Sequence, residues 1–107
     1  SNVRDSKLIF NNFSDFDTDR QAGLISLIHI QGYGNFTNNF KNLIKEVNQA
    51  DPDWDRVADE FKYAYPLESK ADSTRSDLYL QIGDRGDHIY ELLKGTKTVD
   101  DIINLYK

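Results

Sequence analysis

The stretch from Thr18 to Gln31 constrains the fold more than any other. Leu24, Ile25, Leu27, Ile28 and Ile30 cover nearly the whole circumference of a helix, and a helix that is apolar all round has to be surrounded by other elements. Thr18 and Gln21 stand at the spacing that lets both side chains satisfy backbone N–H groups at a helix start. The apolar part spans only about ten residues before Gly32-Tyr33-Gly34-Asn35, whereas a bilayer needs roughly 20. The segment therefore reads as a buried core helix ended by Gly32 and Gly34, with no membrane span.

The rest of the chain supplies the surround. Phe40, Leu43, Ile44 and Val47 stand at i, i+3, i+4, i+7, one apolar stripe on a helix from about Thr37. Asp51-Pro52-Asp53 breaks the chain, and Asp53 caps a helix with Trp54, Val57, Ala58 and Phe61 at the same spacing. Trp54 is expected in the core. A polar loop, Pro66 to Asp72, leads to a helix from about Ser73 to Ile82, stopped by Gly83. A shorter one runs from Asp87 to Lys94 and stops at Gly95. Thr98 caps a last helix whose apolar face is Val99, Ile102, Ile103 and Tyr106. Ahead of them all, Lys7 to Phe13 makes one or two helical turns.

No segment alternates with period two, no repeat of 20 to 50 residues occurs, and no Gly/Ser or Pro linker divides the chain. At 107 residues there is room for one core. The expectation is a single all-α domain over 1–107, a compact globular packing of six or seven short helices around a central apolar helix, without strands. Methionine is absent even at position 1, as in a processed product, a tagged chain or a fragment. Ser1-Asn2 is set aside as a possible tag remnant.

A formal net charge of −5 gives none of the basic footprint that phosphate neutralisation requires, which argues against nucleic acid as a partner. Cysteine is absent, removing disulfides, thiolate chemistry and Cys-containing metal sites together. His29 and His88, the only histidines, have no second ligand at metal spacing, and no cofactor or metal is expected. His29 reads as a core or cleft-edge histidine. Asp51-Pro52-Asp53-Trp54-Asp55 opens like a calcium loop, but Arg56 replaces the turn glycine and Lys62 the bidentate glutamate. The acids are better explained as a helix start complementing the dipole.

Arg85-Gly86-Asp87 matches an adhesion tripeptide but reads as a turn glycine before an N-cap aspartate. Asn12-Phe13-Ser14 and Asn35-Phe36-Thr37 match the glycosylation sequon and are attributed to chance. No Gly-x-Ser-x-Gly elbow or phosphate-binding glycine loop is present. The 14 Asp and 4 Glu make a pair for glycosidic hydrolysis arithmetically available, but most belong to solvated faces and caps.

Four stretches together resemble the C-terminal lobe of phage-type lysozymes, the muramidase family that includes the pesticin-like enzymes. Phe16 to Ile28 resembles the family's central helix with its acidic cap. Gly32-Tyr33-Gly34-Asn35-Phe36-Thr37 is similar to its glycine turn into the next helix. Asp53-Trp54-Asp55-Arg56-Val57-Ala58-Asp59-Glu60-Phe61 resembles its tryptophan-bearing helix, and Arg75 to Gly83 its arginine-led helix. The likeness covers roughly Lys7 to Tyr90, leaving 96–107 as an added C-terminal helix.

The resemblance implies a lysozyme-like lobe of a peptidoglycan-hydrolysing glycoside hydrolase of phage or bacterial, bacteriolytic type, acting in the periplasm or at the cell wall. It places the catalytic glutamate on a separate N-terminal lobe, and nothing here resembles the glutamate-bearing segment, so no catalytic residue carries over. What carries over is Arg75, matching the arginine that reaches across the cleft, with Gln31, Tyr33, Glu60 and Ile30 around the cleft floor. Ile30 stands where the family commonly has an amide, and the second basic residue beside Arg75 is missing. Arg75 could equally pair with Asp72, and Tyr33, Tyr63 and Tyr65 read more readily as packing side chains than as sugar platforms. The expected partner is peptidoglycan or the glutamate-bearing lobe. A non-catalytic binding module for cell wall or protein is the alternative, and an acidic immunity or inhibitor protein a third.

Overall fold

In the computed structural model, which describes residues 2–65 and 74–107, the central segment is a helix, α2 (Thr18–Gln31). Its N-cap is Asp17, whose carboxylate accepts the Arg20 N–H at 2.9 Å. The expected Thr18–Gln21 pairing does not form. Gln21 instead donates from Nε2 to the Phe13 and Phe16 carbonyls, tying the preceding turn to the helix. Gly32 alone ends α2, at φ +81, a backbone conformation that only glycine adopts without strain.

Before α2 come α1 (Asn2–Ile9) and a single 3₁₀ turn, Phe13–Asp15. Helical structure thus begins well ahead of Lys7, and it includes Asn2. After α2 the expected single helix is two, α3 (Tyr33–Asn39) and α4 (Lys41–Val47). They are separated at Phe40, at φ −119 and ψ 43, and Gly34 lies inside α3 rather than breaking the chain. α5 (Trp54–Lys62) starts at its expected cap, where Asp53 accepts the Arg56 N–H at 3.2 Å.

Two short strands, β1 (Tyr63–Tyr65) and β2 (Thr74–Arg75), pair antiparallel with Tyr63 opposite Arg75. They correct the expectation of no strands: the segment after α5 gains its hydrogen bonds from a ladder that links residues about ten positions apart, which periodicity does not register. The polar loop expected at Pro66 to Asp72 lies outside the described residues. α6 (Asp77–Ile82) begins later than expected, capped by Ser76, and α7 (Asp84–Lys94) begins earlier. α8 (Val99–Asn104) has the full capping box of Thr98 and Asp101.

The domain is all-α apart from this ladder. Phe10, Leu24, Leu27, Phe36, Val57, Ala58, Phe61 and Leu93 are all fully buried. They come from four helices and the turn after α1; α2 buries Leu24, Leu27 and Ile28 and packs Ile25 and Ile30 partly against the same core. A radius of gyration of 13.1 Å is that of one compact domain of about 100 residues. No helix among the described residues is long and apolar enough to cross a membrane.

Helix α7 is the hub against which α2 and α5 both lie. At Gly23 of α2 a Cβ would stand 3.0 Å from Leu93 Cδ2, so the two helices approach closely because this position has no side chain. Arg20 then closes the C-terminus of α7, donating to the Leu93 and Lys94 carbonyls at 3.1 and 3.2 Å. These are groups that no helix satisfies internally. On the other side, the Tyr90 hydroxyl of α7 donates to the buried Asp59 carboxylate of α5 at 3.0 Å.

Three single-residue expectations change. Trp54 is only partly buried, edge-on to Phe16 and beneath the Arg20 guanidinium at 5.0 Å. Its ring bridges the core and a cation instead of filling the interior. His29 is on the exposed side of α2, because the helix spends its buried face on Leu24, Leu27 and Ile28. Asp87 is no N-cap: it accepts from the Tyr79 hydroxyl, while Gly86 lies within α7, where a Cβ would meet the Tyr79 carbonyl at 2.9 Å.

Candidate functional site

Where α2 ends, the chain turns at Gly32 and returns along α3, so that Asn39 donates to the Gln31 side-chain oxygen at 3.3 Å. Gln31 and Asn39 thereby form one edge of a polar groove of about 380 Å³. Glu60 and Tyr63, from the end of α5 and the start of β1, form the opposite edge. Ser76, Asp77 and Gln81 of the α6 region complete the lining, with Phe40 and Leu78 as its apolar part.

The groove is held by hydrogen bonds that cross elements. The Ser76 hydroxyl donates to the Phe61 carbonyl at 2.7 Å and accepts the Tyr79 N–H at 3.1 Å. The Ser76 N–H donates to the Lys62 carbonyl at 2.7 Å. Both ends of that hydroxyl are engaged, so Ser76 shapes the site and has little left to offer a ligand. Gln31 differs: its oxygen is taken by Asn39, and its amide N–H groups have no partner among the described residues. Glu60, only 14% exposed at its side chain, lies 3.8 Å from the Arg56 guanidinium.

Of the four residues expected at a cleft, the fold brings two together. Gln31 and Glu60 share the groove, although 29 positions separate them in the sequence. Tyr33 does not join them: it is the first residue of α3, 47% exposed and outside the lining. Arg75 is exposed on β2, one residue before the α6 cap, and not in the first turn of a helix as expected. Its guanidinium lies 5.8 Å from the centre of the Tyr63 ring, so it bears on the groove only through Tyr63. Asp72, its other expected partner, lies outside the described residues. Ile30 packs against the core, which leaves the position facing the groove to Gln31.

Beside the groove, three tyrosine rings surround one cation. Lys62 Nζ is 4.5 Å from the centre of Tyr90, 5.4 Å from Tyr79 and 5.7 Å from Tyr63, within the range of cation–π attraction. Burial and the hydrogen bond and charge of Asp87 push the Tyr79 hydroxyl up to about 12. Burial and Asp59 drive Tyr90 upward in the same way. Both phenols therefore stay protonated and donating at any ordinary pH.

The groove lining has two carboxylates, Glu60 and Asp77, three carboxamides and no Lys, Arg or His. That set suits a neutral ligand rich in hydroxyl and amide groups, and it disfavours an anion at the groove itself. Among the described residues no group of three or more His, Asp or Glu side chains could hold a metal ion. In the candidate calcium stretch, residues from Trp54 onward are helical, and a loop geometry is lost. Asn39, Asp77 and Gln81 were not read from the sequence as site residues. Their approach to Gln31 depends on the break at Phe40 and on the strand pair, neither of which has a local signal. Compared with protein-family models, curated proteins and solved structures, the chain has no match.

Proposed function

We propose that this chain is the C-terminal lobe of a muramidase-like, peptidoglycan-hydrolysing protein. In this reading it contributes the cleft wall and substrate contacts, and the catalytic acid comes from another lobe. The observation that carries the reading is the convergence of Gln31 and Glu60 on one polar groove edged by the Tyr63 ring. Amide donors, carboxylate acceptors and an aromatic face are what the hydroxyl and acetamido groups of a glycan need.

An amide-resonance NMR titration with a soluble, uncrosslinked peptidoglycan glycan tests it. Shifts centred on residues 31, 39, 60, 63 and 81 are expected, and Gln31→Ala should weaken binding about five- to tenfold, the size of one net hydrogen bond. No shift at the groove, or clearing of purified walls by the chain alone, overturns the reading.

One observation favours a second reading, a wall-binding module without a catalytic role. Arg75, the residue matching the family's cleft-crossing arginine, is engaged with Tyr63 and does not line the groove. Co-sedimentation with insoluble peptidoglycan at low salt, together with no gain in wall clearing when the chain is joined to a glutamate-bearing lobe, would select this module. Clearing by the joined protein would select the enzyme.

A further inference from the structure

A second depression lies on the opposite chemistry. Between α7 and α8, with one edge on α2, is a groove of about 230 Å³ lined by Ala22, Ile89, Leu92, Val99, Ile102 and Ile103. Two polar residues of α7, Arg85 and His88, stand in the same lining. The groove is nearly all apolar apart from these and Ser26.

Arg85 has no ion-pair or hydrogen-bond partner among the described residues, on a chain whose net charge is −5. His88 is engaged with the Tyr106 hydroxyl at 2.7 Å. A guanidinium left open beside an apolar groove complements a ligand with one anionic group and an alkyl body. The wall formed by α8 has no fully buried residue, Val99 and Ile102 being half-buried. Its ties to the rest are the Val99 N–H to Asp19 at 2.9 Å and the His88–Tyr106 contact.

We infer that this groove binds a medium-chain aliphatic carboxylate, with the carboxylate on Arg85 and the chain along Ile89, Leu92, Ile102 and Ile103. The size sets the length: about 230 Å³ is room for roughly eight groups the size of a water, at about 30 Å³ each, and a methylene is of that order. The site is smaller than the ~300 Å³ at which drug-sized pockets begin, which excludes a two-chain lipid. Occupation of the same groove by a second copy's α8 is the competing possibility, and the test separates them.

The experiment titrates the full chain with sodium decanoate below its micellar concentration, reading amide NMR shifts, with decanol as the uncharged equal of the same length. Shifts at residues 22, 85, 89, 92, 99, 102 and 103 are expected, with affinity gaining about fourfold per methylene from hexanoate to decanoate. Arg85→Gln, at an exposed position, should keep the fold and weaken decanoate about tenfold while leaving decanol unchanged. Decanol binding as tightly as decanoate to the native chain, or no shift at these residues, overturns the inference. So does a dilution series in which the same residues shift with protein concentration alone while sedimentation shows a dimer, which would assign the groove to a second copy.

Discussion

Helices α5 and α8 carry the same apolar spacing and meet opposite fates. Trp54, Val57, Ala58 and Phe61 stand at i, i+3, i+4, i+7, and so do Val99, Ile102, Ile103 and Tyr106. Both helices start at a side-chain cap that accepts a backbone N–H. Yet Val57, Ala58 and Phe61 are fully buried against α7 and the core, whereas in α8 Val99 and Ile102 are only half-buried, Ile103 is 48% exposed and Tyr106, just past its end, 71%. A stripe states which face of a helix is apolar. Whether anything covers that face depends on what else the chain brings to it.

The largest effect that the contrast requires is at Phe61. Phe61→Ala should cost about 3–5 kcal/mol, the range for emptying a buried aromatic site, and a denaturant titration would read it. The equivalent change at the last position of the other stripe, Tyr106→Ala just past α8, should stay within about 0.5 kcal/mol, as for an exposed position. Equal costs at the two positions would break the comparison.

Next in size is the polar link between α5 and α7. Tyr90→Phe removes the donor at 3.0 Å from the buried Asp59 carboxylate, and should cost about 1–3 kcal/mol because a buried acceptor loses a partner. The same melt reads it. α8 is tied instead through its backbone, the Val99 N–H donating to the Asp19 carboxylate at 2.9 Å, and the His88–Tyr106 contact beyond its end is solvent-exposed.

A pH dependence separates capped ends by burial. Burial acts to raise the Asp17 carboxyl, but the Arg20 N–H, guanidinium hydrogen bond and charge outweigh it and hold it below its ordinary value. A carboxyl depressed in the folded state contributes stability that is fully present above its unfolded value near 3.8 and is lost as pH falls through the lower, folded one. The thermal midpoint should therefore decline below about pH 4, and more shallowly in Asp17→Asn. An unchanged slope in that variant would remove Asp17 from the account.

The smallest global effect is expected from Thr98→Ala. It deletes one half of the capping box and should destabilise α8 by about 1 kcal/mol. Because α8 is not part of the buried core, faster hydrogen exchange should appear at residues 99–104 while the global midpoint stays put. A matching drop in the whole domain's stability would show that α8 is integral to the core.

Much of the fold was readable from local chemistry. The all-round apolar run at Leu24 to Ile30 announced a central helix, and Asp53 and Thr98 announced their caps, because helix starts and buried faces are decided by neighbours within a turn. The α3–α4 break at Phe40, the strand pair and the late start of α6 were not. Each relies on partners distant in sequence, such as the Ser76 hydroxyl bonded to Phe61.

The site divides along the same line. The resemblance named Gln31 and Glu60, and residue identity by itself ruled out thiol chemistry and disulfides. The resemblance also set Tyr33 and Arg75 beside them, whereas in the structure Tyr33 begins helix α3 at 47% exposure and the ladder carries Arg75 onto the side of Tyr63, both outside the groove lining. Side-chain direction is set by backbone geometry that only the packed chain defines. The apolar groove under α8 belongs wholly to that second category, since Ala22, Arg85 and Ile103 share a surface only after α2, α7 and α8 have come together.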